Sequence, residues 1–473
     1  MEQRFLYRLL SGAFFALLLS LTAYAQGNFV YTHNAGSISG FAVAPNGVLT
    51  EIPGSPFPTG EIFIAGGEGA QDNMVVSPKG QFLFVAHGDY TNISAFAIDP
   101  STGSLTPVPG SPFSSGTGLG ATSLAVSPDG RLLFAATTSG FKKIGVFAVS
   151  SNGALTAVAG SPFSVEAASL GRIRVSSDSR FLAAALDDNV TLYKIAASGA
   201  LTLASASQPI IRGGFIGLDV DCGGSFVFAS DLDRLHVFPI PPKLNGPLVE
   251  KSSLNKSVGV TVLLSPNNRL LFTTGNHLFR VVQVASDGSL TEAPGSPYIL
   301  GDPKSDSIPE DLTTNQAGTL LYTANDDGTL SVYAIGTSGA LTPVPGSPFA
   351  NHNGFGVSIA AFPPATCQTV FDVCIRDNGG RTLLRFNSTT GAYQFTRCGD
   401  GFTLTGKGQI SSVNSLISLS DSAADRRIRA SFNSGQKTGY GTVWLTIAPG
   451  VSQTLIINDT ASLGQACTCG ASR

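Results

Sequence analysis

Arg172 and Arg174, together with the adjacent acids Glu310 and Asp311, are the residues of this chain best suited to act on a small anion. An arginine fork donates two parallel hydrogen bonds to a carboxylate or a developing oxyanion, and a carboxylate near it is a candidate general base. The same charges could instead satisfy neighbouring backbone and each other, as structural ion pairs do. Three histidines, His33, His87 and His352, with Glu61 and Glu68 nearby, offer a weaker alternative, a three-ligand zinc site. They lack the short spacing of a metal motif, and ordinary loop histidines are the competing reading. The acidic pairs Asp187-Asp188, Asp231 with Asp233, and Asp326-Asp327 could supply hard oxygen ligands, but no contiguous calcium loop is present and solvated turns account for them. There is no phosphate-cradling glycine loop, no Gly-x-Ser-x-Gly elbow and no Cys/His nucleophile pair, so no cofactor is expected.

These residues must be held by a repeat. One unit reads as an inner strand a (Ala121–Ser127), a Ser127-Pro128-Asp129-Gly130 turn, strand b (Arg131–Ala136), strand c (Ile144–Val149), an Asn152-Gly153 hairpin and strand d (Ala154–Val158). The segment Gly160-Ser161-Pro162-Phe163 then closes the unit, because proline cannot donate to a sheet ladder. The second position of the a–b turn recurs as Pro78, Pro128, Ser177, Cys222, Pro266, Gln316 and Pro363, at separations of 50, 49, 45, 44, 50 and 47. Such a period suits one four-stranded propeller blade. The first copy begins at a b-like run, Phe29-Val30-Tyr31-Thr32, and lacks strand a; the last, Ser358–Pro363, is a strand a with nothing after it. Together they make one blade and leave no exposed edge. The expectation is an all-β, seven-bladed propeller over residues 26–364, closed by pairing of its terminal repeat strands, with a small all-β, disulfide-stapled domain over 365–473.

In such a meander the b–c and d–a loops share one face of the disc and the short a–b and c–d turns the other. The loop face, with its long segments 58–72 and 299–309, is expected to carry binding, and the turn face to be inert.

The seven-fold count, the Ser-Pro-Asp-Gly turns, the Leu-Thr-Pro-Val-Pro-Gly-Ser-Pro-Phe segments (Leu105–Phe113 and Leu341–Phe349) and the secretory start resemble the lactonase, or 6-phosphogluconolactonase-like, seven-bladed propeller family over about residues 27–364. The resemblance implies reactive His, Arg and acidic side chains where the inner strands start, around the central channel, five residues before each turn position. Here those positions are Asn73, Ser123, Arg172, Gly217, Thr261, Asp311 and Ser358, and none is histidine. The leading functional expectation is therefore a ligand- or partner-binding scaffold. The alternative is a lactone hydrolase acting on a small anionic sugar lactone through Arg172, Asp311 and Glu310, with Asn73, Ser123, Arg174, Thr261 and Ser358 lining the ligand. A third possibility is cell-envelope attachment through the terminal domain.

Composition narrows the partners. Hydrophobic residues make up 42% and charged residues 12%, with 28 Lys+Arg against 31 Asp+Glu. A weakly acidic chain without basic runs is a poor match for a phosphate backbone, so nucleic acid is excluded. Arg4 and Arg8, the apolar run Ala13–Leu19 and Ala23-Tyr24-Ala25 read as a signal peptide over residues 1–25, with an uncleaved anchor as the alternative. No other stretch approaches spanning length, so a monomer without a membrane span is expected, secreted or in the periplasm or cell envelope. Of the six cysteines, Cys222 lies among the repeats and Cys367, Cys374, Cys398, Cys467 and Cys469 lie at the end; one of these five is left over, either free or paired with Cys222.

Overall fold

The computed structural model describes residues 27–463 except 35, 61–72, 89–90, 117–119, 137–142, 166–169, 187, 210–215, 232, 242, 256–260, 276–277, 300–308, 352–357, 368–372, 377–381, 387–391, 399–401, 414–415, 424–425, 434–437 and 449–450. The expected signal peptide, Glu61, Glu68, Asp187, His352, Cys467 and Cys469 lie outside the described residues. All described elements are strands, and no helix among them is long and apolar enough to cross a membrane.

Seven antiparallel sheets form the propeller, each ordered a-b-c-d from its inner strand outward, and a ninefold sheet follows. The inner strands are Ser358–Phe362 (blade 1), Met74–Val76, Ser123–Val126, Leu170–Val175, Gly217–Val220, Thr261–Leu264 and Pro309–Thr314 (blade 7). Blade 1 is the composite one: Phe29–Asn34 pairs on one side with Ser37–Val43 and on the other with Ser358–Phe362, in the register Phe29↔Phe362 to His33↔Ser358. Pairing of chain regions more than 300 residues apart removes the edge that each would otherwise expose.

Blades are joined by side chains rather than by backbone. Strand b is buried on both faces in most blades, as in Phe82–Ala86 and Phe181–Leu186, and each face packs on a different neighbour. The described buried apolar residues accordingly fall into one cluster per blade interface, from Tyr31, Ile38, Met74 and Leu83 between blades 1 and 2 around to Val30, Phe41, Tyr322 and Leu330 between blades 7 and 1. Because the last interface is packed like the others, the ring is closed by core as well as by ladder.

The Gly-Ser-Pro-Phe segment does more than end its unit. In five blades it turns back and adds a two-residue strand against the start of strand c, with Ile144↔Phe163 and Ile38↔Phe57 as examples. Proline withholds only its own amide; the phenylalanine after it still pairs. The serine before it fills the gap between the two outer pieces. Its hydroxyl accepts the strand-c amide of Val146 at Ser161, of Gly40 at Ser55, of Ala95 at Ser111, of Val281 at Ser296 and of Val332 at Ser347, at 2.9 to 3.1 Å. Gly160 makes the preceding turn at φ +85°, a conformation that disfavours a side chain. Blades 4 and 5, which lack the signature, carry unbroken outer strands, Leu201–Ala206 and Ser252–Asn255.

After Pro363 the chain enters the terminal sheet, whose central strands include Val373–Arg376, Val451–Leu463, Thr438–Ala448 and Arg426–Asn433. Its own core gathers Ile375, Leu384, Phe386, Tyr393 and Phe395 with Leu419, Ile428 and Ala430. The disulfide Cys222–Cys367 ties the connecting segment to the a–b turn of blade 5. Cys398 is disulfide-bonded too, and no cysteine among the described residues is free.

Candidate functional site

The start of each inner strand turns its side chain toward the axis, and the residues counted at five before the turns form one buried polar layer. Asn73, Ser123, Thr261, Asp311 and Ser358 are each at most 1% exposed and Arg172 is 3% exposed. Arg172 Nη2 spans blade 5, whose position in this layer is Gly217, and donates to Thr261 Oγ1 at 3.2 Å and Asp311 Oδ1 at 3.4 Å. The other oxygen of Asp311 accepts from Ser358 Oγ at 2.9 Å and from the Ile359 amide at 3.1 Å. Ser123 Oγ accepts the Ile173 amide at 3.2 Å. Thr261 Oγ1 also lies 3.4 Å from the Glu310 carbonyl oxygen, to which it can donate.

Both charges of this layer sit at irregularities. The pairing of strands a and b slips between Leu170 and Ile173 in blade 4 and between Pro309 and Asp311 in blade 7. An extra residue in one strand kinks it and re-aims the side chains there. Glu310 is the extra residue in blade 7; it is partly exposed, and its carbonyl oxygen meets Thr261 Oγ1 of the layer.

Next to this layer, on the blade 1 side, His33 and His87 occupy equivalent ends of strand b in adjacent blades. Their rings meet edge to face with centroids 5.5 Å apart. His33 Nδ1 lies 3.4 Å from Asn73 Oδ1, and His87 Nε2 lies 2.8 Å from Ser94 Oγ. Burial, with the neighbouring His87 acting in the same direction and the Asn73 contact opposing, lowers the His33 pKa to about 3, so this imidazole is neutral at ordinary pH. Among the described residues no group of three His, Cys, Asp or Glu side chains is placed to hold a metal. Asp231, one of the acids weighed for calcium, instead accepts the Asp233 and Arg234 amides and contacts His236 Nε2 at 3.1 Å.

Arg174 does not join the layer. Two residues further along its strand, it faces the other half of the channel, where Nε lies 3.5 Å from Asp219 Oδ1 and Nη1 donates to the Ile173 carbonyl at 3.1 Å. Asp219 also accepts the Leu264 amide at 2.7 Å, which fixes its carboxylate between blades 5 and 6. Among the described residues this is the one charged pair lining a cavity of about 510 Å³ whose wall is otherwise mostly apolar, with Val76, Val126, Leu263, Leu312 and Ala360 among its residues. Pro78, Pro128 and Ser177 mark its mouth as the a–b turn face, and Pro364–Cys367 runs along it. A half-open cavity thus lies on the turn face, the face expected to be inert. Asp219 was missed in the sequence, although it stands at the same offset in blade 5 as Arg174 does in blade 4.

No protein-family profile matches the chain, and no curated protein matches it in sequence. Solved structures do resemble it. A candidate 6-phosphogluconolactonase of Bacteroides fragilis superposes with a TM-score of 0.58 at 16% identity, over 72% of this chain and 99% of that one. A second such protein, from Bacteroides uniformis, gives 0.58 at 15% identity, over 71% and 99%. The periplasmic gluconolactonase of Pseudomonas aeruginosa gives 0.55 at 19% identity, over 68% and 97%. These likenesses establish a lactonase-like propeller fold for this chain.

Proposed function

We propose that the protein is a ligand-binding propeller that takes a small anionic molecule with an apolar body into the turn-side half of its channel. The observation that carries this reading is the cavity of about 510 Å³ with Arg174 as the one cation among its described lining residues. Apolar walls with a few placed polar groups are the usual make-up of a small-molecule site, and here the Arg174 guanidinium is oriented by Asp219 and the Ile173 carbonyl, which preorganises it to meet a carboxylate. The Cys222–Cys367 bond supports an oxidising compartment, secreted or periplasmic. A thermal-shift screen of the whole protein against short aliphatic, aromatic and sugar carboxylates is expected to give stabilisation that vanishes in Arg174→Met. Stabilisation that survives Arg174→Met, or none across the panel, would remove this reading.

A second reading, lactone hydrolysis, is favoured by the convergence of Arg172 and Asp311 and by the names borne by the structural neighbours. Arg172 would stabilise the oxyanion and Asp311 or Glu310 would activate water. The burial of the Arg172–Asp311 pair at 3% and 1% weighs against it, since substrate would have to displace a satisfied ion pair. Turnover of an aldonolactone panel that is lost in Asp311→Asn and retained in Arg174→Met would establish it over the channel-binding reading.

A further inference from the structure

Three residues before each a–b turn position, the inner strands set a second ring of side chains around the channel. Blades 4 and 5 contribute Arg174 and Asp219, and the other five contribute Ala360, Val75, Ala125, Leu263 and Thr313. All of them line the turn-side cavity. One cation therefore stands beside one anion, and four apolar residues and a single hydroxyl complete the ring. The inner strands follow one another in chain order around the axis, so blade 1 lies across from the junction of blades 4 and 5, and there the ring holds only the small Ala360. Room for an apolar body thus lies opposite the charged pair. Beyond Phe362 the chain crosses from blade 1 to the Cys222–Cys367 bond at blade 5, and Pro364, Ala365 and Thr366 line the cavity along the way. That crossing suits a ligand of about one residue's size better than a polymer.

Asp219 is fixed at this wall. Its Oδ1 accepts the Val220 amide at 2.8 Å and lies 3.5 Å from Arg174 Nε, while Oδ2 accepts the Leu264 amide at 2.7 Å. The Asp219 side chain is 14% exposed and that of Arg174 20%, so neither is sealed from the cavity it lines. We infer, on the reading of this cavity as a carboxylate site, that the carboxylate belongs to an α-amino acid with a bulky apolar side chain. A plain monocarboxylate would set two carboxylates, its own and that of Asp219, on one guanidinium within a mostly apolar wall, where like charges repel more strongly than in water. An ammonium group on the carbon next to the ligand carboxylate removes the imbalance. The carboxylate meets Arg174, the ammonium meets Asp219, and the four charges alternate in sign. An ammonium brings donors only and a carboxylate acceptors only, so the second contact is complementary as well. The 3.5 Å between Arg174 Nε and Asp219 Oδ1 suits two ligand groups borne on neighbouring atoms. The ligand side chain then lies toward Ala360 and Val75, where burying its apolar surface adds affinity.

Four probes share one apolar body and differ only at its polar end: L-phenylalanine, 3-phenylpropanoate, 3-phenyllactate and 2-phenylethylammonium. In calorimetry of the intact protein, L-phenylalanine is expected to bind about tenfold or more tighter than each of the other three. Asp219→Asn should erase that advantage by weakening L-phenylalanine without weakening 3-phenylpropanoate, and Arg174→Met should weaken both. If Asp219→Asn does not fold, the four probes on the native protein still decide. L-Phenylalanine binding no tighter than 3-phenylpropanoate or 3-phenyllactate, or an advantage undiminished in Asp219→Asn, would overturn the inference. In that event, binding of 3-phenylpropanoate that depends on Arg174 would leave the carboxylate reading standing, whereas no binding of any carboxylate would remove both.

Discussion

Two buried polar groups near the loop-side end of the channel make opposite statements about charge. His33 is held neutral: its ordinary pKa of 6.5 is lowered to about 3 by burial, with His87 adding to the effect. Between these values the unfolded chain takes up a proton that the folded chain refuses, so folded stability falls as pH drops below 6.5, by roughly 1.4 kcal/mol per unit from this group, and is independent of it above 6.5. Denaturant midpoints followed from about pH 7 to 5 should show that slope in the native protein and a shallower one in His33→Asn; identical slopes would exclude His33 as its source. Arg172 and Asp311, by contrast, are both charged groups out of water, and each is tolerated because the other is there. Arg172→Met removes the guanidinium that faces Asp311 Oδ1 and should cost about 3–5 kcal/mol. The double change Arg172→Met with Asp311→Leu should recover much of that loss in equilibrium unfolding, because it removes the buried carboxylate together with its guanidinium partner.

At the scale of the strand, the Gly-Ser-Pro-Phe signature works as a device for splitting an outer strand in two while leaving no strand-c amide unmet. Ser161→Ala removes the acceptor for the part-buried Val146 amide and keeps the side chain's β-carbon, and should cost about 1–2 kcal/mol in urea unfolding. The same substitution at Ser198, in the turn before the unbroken outer strand of blade 4, should be nearly silent, because the Ala200 amide that its hydroxyl accepts at 3.4 Å is exposed. This device was only half legible. Turn residues announce themselves locally, so the strands of blade 3 could be placed from sequence to within two residues at either end. The two-residue strand Phe163–Ser164 could not, since it exists only through its long-range register with Ile144. The slips that aim Arg172 and Asp311 inward were hidden for the same reason: a bulge is a relation between two strands.

For the whole molecule, constant turn spacing made the ring and its polar layer readable, whereas the turn-side cavity was not, because its wall includes Pro364–Cys367, placed there by a disulfide that no spacing could specify. That bond closes a separation of 145 residues and on chain entropy alone contributes about 5 kcal/mol. It holds the chain five residues beyond the strand that closes blade 1, so covalent and hydrogen-bonded closure act at the same place. The relative weight of the ladder can be isolated. The Ile359 amide donates to Asp311 on the channel side, so by the alternation of an extended strand the Ala360 amide faces Tyr31, its partner in strand b. Ala360→Pro deletes that bond and should cost about 3 kcal/mol or more. Ala125 is the equivalent position in blade 3, where strands a and b are joined by a short turn. Ala125→Pro should therefore disturb one blade locally, while Ala360→Pro should loosen a joint that no turn holds. Amide exchange should accordingly rise across both Phe29–Asn34 and Ser358–Phe362 in the Ala360 variant, and rise further when Cys222–Cys367 is reduced. Protection of Phe29–Asn34 that is unchanged by Ala360→Pro would mean that the apolar clusters on either side of blade 1, not its ladder, keep the ring shut.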